Sequence, residues 1–99
     1  MKLHLGKMQM ATPMLMRRLG YGLHQGREIS YERRISHQPF PRLHAYVEET
    51  KKGVTLNLHL DQKAPSYGGS KMHAGEYDGP VVEGELARIK KLADLWGQF

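Results

Sequence analysis

The chain has 99 residues, 39% of them hydrophobic, enough apolar material for one small domain and not for two. Fifteen Lys and Arg stand against ten Asp and Glu, a net charge of +5, and the ordinary 25% charged content argues against wholesale disorder. The absence of cysteine excludes disulfides, thiolate metal sites and cysteine nucleophiles; with no long apolar run for a membrane span or secretory core, a cytoplasmic protein is expected.

The charge is unevenly placed. Residues 1–27 carry Lys2, Lys7, Arg17, Arg18 and Arg27 with no acid, so the whole net charge lies there, together with five of the six methionines. This shift predicts a basic, Met-rich arm over residues 1–27 and a single folded domain over residues 28–99. Within the arm, Thr12 as N-cap, Pro13 at the first helical position and Gly20 as a left-handed stop outline one short helix. It is too short to stand alone and needs a surface to lie on. Gly20, Gly22 and Gly26 are spaced one residue too far apart for a dinucleotide fingerprint. Three readings of the arm are open: a segment packed on the body or poorly ordered, an organelle-targeting presequence, or a basic arm whose five cations contact nucleic-acid phosphates.

From Glu28 onward period-two alternation appears. Ile29, Tyr31 and Ile35 suggest a first strand, with Arg33 misplaced on its apolar side, and Pro39 and Pro41 end it. Leu43, Ala45 and Val47 then alternate with His44, Tyr46 and Glu48. After Thr50-Lys51-Lys52-Gly53, Val54, Leu56, Leu58 and Leu60 alternate with Thr55, Asn57, His59 and Asp61. Two such runs joined by a short loop ending in glycine predict a β-hairpin. Keeping the apolar face whole pairs Val47 with Leu56, Ala45 with Leu58 and Leu43 with Leu60, and so sets His44 opposite His59. A register shifted by two residues places His44 opposite Asp61 instead.

Gly79-Pro80 opens a C-terminal helix with Glu83 and Glu85 near its positive end. Val82, Leu86, Ile89, Ala93 and Trp96 form one apolar stripe, and Gly84 within it suggests close approach of another backbone. The expected fold is α+β: a small antiparallel sheet of about three strands, built on the central hairpin and packed on one C-terminal helix. So thin a core leaves room for a homodimer through a sheet edge or the arm.

Between hairpin and helix lies a segment of unusual length for a small domain, read as an ordered functional loop because it contains Tyr67, Tyr77, His73 and Glu76. Leu58-His59-Leu60-Asp61-Gln62-Lys63, Pro65-Ser66-Tyr67 and His73-x-Gly75-Glu76-Tyr77-Asp78-Gly79, running into Glu83, Glu85, Arg88 and Ile89, resemble a family of small uncharacterised bacterial proteins. The resemblance covers about residues 40–90. It implies a natural domain with a variable N-terminal part and brings no activity with it.

Six histidines is a high count for this length. His59 and Asp61, two apart on one strand, share a face, and His44 lies on the partner strand. With His73 and Glu76 from the following loop they make a candidate set for a divalent metal (zinc, iron or manganese) with an open position that activates water. The bland alternative has exposed strand histidines, with Asp61 paired to Arg42 or Lys63. Asp61-Gln62-Lys63 also matches half of a metal-dependent nuclease core, for which Glu48 is the nearest second acid. Ser66 and Ser70 lack a histidine–carboxylate arrangement. Tyr46 and Tyr67 near Arg42, Lys63 and Lys71 suit base stacking. The reading adopted is a non-enzymatic module that binds nucleic acid through the basic arm. The alternatives are a small metal-dependent hydrolase and a protein–protein adaptor.

Overall fold

The computed structural model describes residues 1–62, 75, 76 and 79–96. In chain order these form β1 (Lys2–Gly6), α1 (Thr12–Arg18), β2 (Gly22–Gln25), β3 (Ile29–Arg34), β4 (Arg42–Thr50), β5 (Gly53–Asp61), β6 (Gly75–Glu76) and α2 (Pro80–Leu95). The sheet is antiparallel in the order β1-β5-β4-β3-β2, and the two-residue β6 extends the edge of β5 beyond the end of β1. The fold is therefore α+β with a C-terminal helix, as the alternation predicts, but among the described residues the sheet has five full strands and the two-residue β6 rather than about three.

Both additional strands come from the basic quarter. Leu3 and Leu5 alternate with Lys2 and His4, so β1 lays Leu3 against Leu56 and buries Leu5 in the core. β2 folds back on β3 through the turn at residues 26–28, pairing Leu23 with Tyr31. Leu15, Met16, Leu19 and Tyr21 are also buried, and Met8 and Met10 pack against the core. Residue 27 is thus no boundary between arm and body. The apolar residues interleaved with the cations are worth more buried, at about 2 kcal/mol for each large side chain, than five surface charges lose by lying on a folded surface.

The β4–β5 ladder has the register that keeps the apolar face whole. Leu43 faces Leu60, Ala45 Leu58 and Val47 Leu56, while His44 faces His59 and Tyr46 faces Asn57. The ladder runs through to Thr50–Gly53, with Lys51 and Lys52 at the tip. Gly53 sits at φ 132°, and a Cβ there would collide with the backbone of Gly6 on β1. This glycine is needed both by the turn and by the close approach of β1.

Both helices lie on the apolar face. α1 ends in a Schellman motif, with Gly20 at φ 96°, the Gly20 N–H donating to Arg17 O (3.0 Å) and the Tyr21 N–H to Met16 O (2.9 Å). In α2, Val82, Leu86, Ile89 and Ala93 are buried and Trp96 half-buried beneath the Arg18 guanidinium, 5.0 Å from its ring centroid. Glu85 is buried at 6% exposure on the same helix. It accepts from the Tyr21 hydroxyl at 2.6 Å and from Arg88 Nε and Nη2 at 2.8 Å each, while Arg88 Nη2 also donates to Leu19 O at 2.7 Å. Arg33, the residue out of place in the β3 alternation, stands 3.7 Å from the same carboxylate. Burial alone would raise the Glu85 pKa, but the Arg88 and Tyr21 contacts outweigh it and hold the carboxyl below its ordinary value. This buried cluster ties α2 to the end of α1 and to β3.

Gly84 does not serve a close approach, since a Cβ at that position would meet nothing within 4 Å. Gly84→Ala is accordingly expected to raise the unfolding free energy by about 1 kcal/mol in urea titrations, whereas Gly53→Ala lowers it. A destabilised Gly84→Ala protein would show that the helix is constrained in some way the packing does not reveal. Glu85→Gln removes the charge that Arg88 and Arg33 face and is expected to cost about 2 kcal/mol in the same titration. A loss below about 0.5 kcal/mol would mean that the cluster contributes no more than an exposed ion pair.

Candidate metal centre

The sheet's second face carries the polar side chains, and the β4–β5 register gathers three of them. His44 and His59 are cross-strand neighbours with ring centroids 4.9 Å apart, and Asp61 lies two residues along β5 on the same face. The Asp61 carboxylate meets both rings: Oδ2 is 3.1 Å from His44 Nδ1 and Oδ1 is 2.9 Å from His59 Nε2. The imidazoles are buried, at 8% and 9% exposure. The remaining ring nitrogen of His44, Nε2, is 2.7 Å from Ser30 Oγ on β3. Tyr46 stacks on His44 at 4.9 Å between centroids.

An outer layer surrounds this group. Arg42 Nε is 3.5 Å from Asp61 Oδ2, and its Nη1 is 3.0 Å from Glu32 Oε2, which His24 Nδ1 approaches to 3.4 Å. The Glu32 contacts are electrostatic only, since that oxygen is buried without an aligned hydrogen bond. Burial by itself would raise the Asp61 pKa; the bonds and charges of His44 and His59 reverse this and hold the carboxyl well below the usual carboxylate range.

His44, His59 and Asp61 could together hold a metal ion, each offering one ligand atom with all three atoms within 4.8 Å of one another. The two histidine contacts run to different oxygens of the Asp61 carboxylate, 3.1 Å to Oδ2 and 2.9 Å to Oδ1, so a single carboxylate faces both imidazole nitrogens. The donor set of two imidazoles and one carboxylate suits zinc, iron or manganese. Ser30 fits the same picture, because an outer hydroxyl that takes the Nε2 proton leaves Nδ1 of His44 as the ligand. Ser30, His44 and Asp61 also line up as hydroxyl, imidazole and carboxylate. Ser30 is 1% exposed, and the contact its hydroxyl makes is with His44 Nε2, which orients the ring.

The sequence candidates distribute as follows. His44, His59 and Asp61 converge. His73 lies outside the described residues, as do Lys63, Tyr67 and Lys71. For Glu76 only the backbone is described: it pairs with Leu60, and Gly75 pairs with Asp61. Glu48 is exposed opposite Thr55, six residues along β5 from Asp61 and about 20 Å away, too far to complete a nuclease core. The five basic residues form no single patch. Lys2 lies on β1 toward the polar face, Lys7 beyond the end of that strand, Arg17 and Arg18 on α1 across the sheet, and Arg27 in the β2–β3 turn. Sequence reasoning missed Ser30, Glu32 and His24; only the β3–β4 register, which sets Glu32 opposite His44, aligns them with the site.

Comparison with protein-family models, with curated proteins and with solved structures gives no match. Among the described residues no helix is long and apolar enough to cross a membrane.

The depressed Asp61 pKa has a definite sign. Its contribution to stability is complete above the ordinary aspartate value of about 3.9 and is lost as pH falls from there toward the folded value. The advantage of the native protein over Asp61→Asn in urea unfolding is therefore expected to be larger at about pH 5 than at about pH 3. An advantage independent of pH over that interval would show that the two imidazoles do not hold the carboxylate ionised.

Proposed function

We propose that the protein is a small divalent-metal protein, with His44 Nδ1, His59 Nε2 and Asp61 as ligands and zinc, iron or manganese as the ion, and that it works as a metal-dependent hydrolase. The observation that carries this reading is the Asp61 carboxylate placed between two buried imidazole nitrogens at 2.9 and 3.1 Å. A metal held by three protein ligands keeps open positions, where it supplies Lewis acidity and lowers the pKa of water toward neutrality. The chain's own residues prepare that site. Ser30 fixes the His44 ring, and both imidazoles are buried against the Asp61 carboxylate, which Arg42 also approaches.

The test is calorimetric titration of untagged protein with zinc and with manganese, alongside elemental analysis of the protein as purified. One equivalent is expected to bind. Affinity should fall about a hundredfold or more in His59→Ala and Asp61→Ala, and remain unchanged in His4→Ala, which alters an exposed histidine elsewhere on the same face. The loaded protein is expected to cleave an activated phosphate or carboxylate ester, and Asp61→Asn to lose that activity. Equal metal affinity in all variants would refute the ligand assignment, and a loaded protein inert toward both esters would refute hydrolysis.

A further inference from the structure

The metal reading leaves unexplained the rest of the polar face and the positive charge of the chain. Both helices cover the opposite side of the sheet, so the face that carries His44 and His59 has Tyr46 near its middle, half-buried and stacked on both rings. Two depressions flank this tyrosine. One, of about 370 Å³, is bordered by His24, Arg27, Ser30 and His44 as well as Tyr46; the other, of about 150 Å³, by Lys2, Thr55 and Asn57 as well as Tyr46. Each therefore brings together the aromatic ring, amide or hydroxyl groups, and one cation from the acid-free first quarter of the chain. Arg34 adds a third exposed cation at the end of β3. The exposed acids beside these depressions are Glu28 and Glu48, since Glu32 and Asp61 are engaged by Arg42 and the histidines.

We infer that this face binds single-stranded nucleic acid, with a base stacked at Tyr46 and flanking phosphates held by Lys2 and Arg27. An antiparallel sheet with rings on one face and helices on the other gives unstacked bases a platform, and the amides and hydroxyls beside Tyr46 can meet base edges. The local charge balance favours stacking over electrostatics as the main source of affinity, whereas the net charge of +5 favours a polyanion over an apolar partner. This differs from an arm that grips phosphates with all five basic residues, because Arg17 and Arg18 lie across the sheet and take no part. The inference goes beyond the metal reading and does not depend on it.

The test is fluorescence anisotropy of a short labelled oligo(dT) or oligo(U), titrated with full-length protein in chelator so that metal plays no role. Binding is expected, with Tyr46→Ala about tenfold or more weaker, Tyr46→Phe close to native, and Arg17→Glu/Arg18→Glu unchanged. Two phosphate contacts give a shallow salt dependence, with a slope of log K on log salt of about −1.4. Absence of binding, equal affinity of Tyr46→Ala and native protein, or a loss in Arg17→Glu/Arg18→Glu as large as in Tyr46→Ala would each overturn it. Because the metal titration is read separately, failure of one reading leaves the other standing.

Discussion

The alternation of Leu43, Ala45 and Val47 on β4 with Leu56, Leu58 and Leu60 on β5 allows the hairpin one pairing that keeps every large apolar side chain under the helices. That pairing sets His44 against His59, and the strand period then carries Asp61 back to the same face, where its carboxylate reaches both rings. A slip of one residue would turn the histidines into the core and the leucines into water, at a cost of many kcal/mol. The site is thus fixed by the core beneath it. Its precision comes from the hydrophobic register, and its chemistry from the residues that register leaves on the other side.

The first quarter of the chain belongs to the same construction. β1 covers the first half of β5, α1 adds Leu15 and Met16 to the core, and β2 places His24 and the turn residue Arg27 beside the site. The Glu85 cluster closes the arrangement from the helix side, joining Tyr21, Leu19, Arg33 and Arg88 in one buried polar contact. A buried carboxylate is costly unless it is paired, and here Tyr21, Arg88 and Arg33 supply the partners.

Much of this was legible in the sequence, and for physical reasons. The hairpin, its register and the α2 stripe rest on long apolar patterns of period two or 3.6, which tertiary context seldom overrides. The pairing of His44 with His59, and their sharing a face with Asp61, followed from the register. The strands β1 and β2 did not stand out. β1 shows only two apolar residues among cations, and β2 has Leu23 alone, so their pairing depends on partners distant in the chain. Charge asymmetry suggested an arm where burial made two strands and a helix. Arg33 read as a flaw in β3 because its partner, Glu85, lies 52 residues away on α2. Ser30 carried no local signal, since its proximity to His44 exists only once β3 is laid beside β4.

The central claim is that two imidazoles and one carboxylate on this hairpin form a metal centre. Its most direct test is the visible absorption spectrum of the protein titrated with cobalt(II), whose d–d bands report ligand type and geometry. The account predicts bands that saturate at one equivalent and disappear in both His44→Ala and His59→Ala. A spectrum that stays that of hexaaquo cobalt, or bands that survive in both variants, would contradict it.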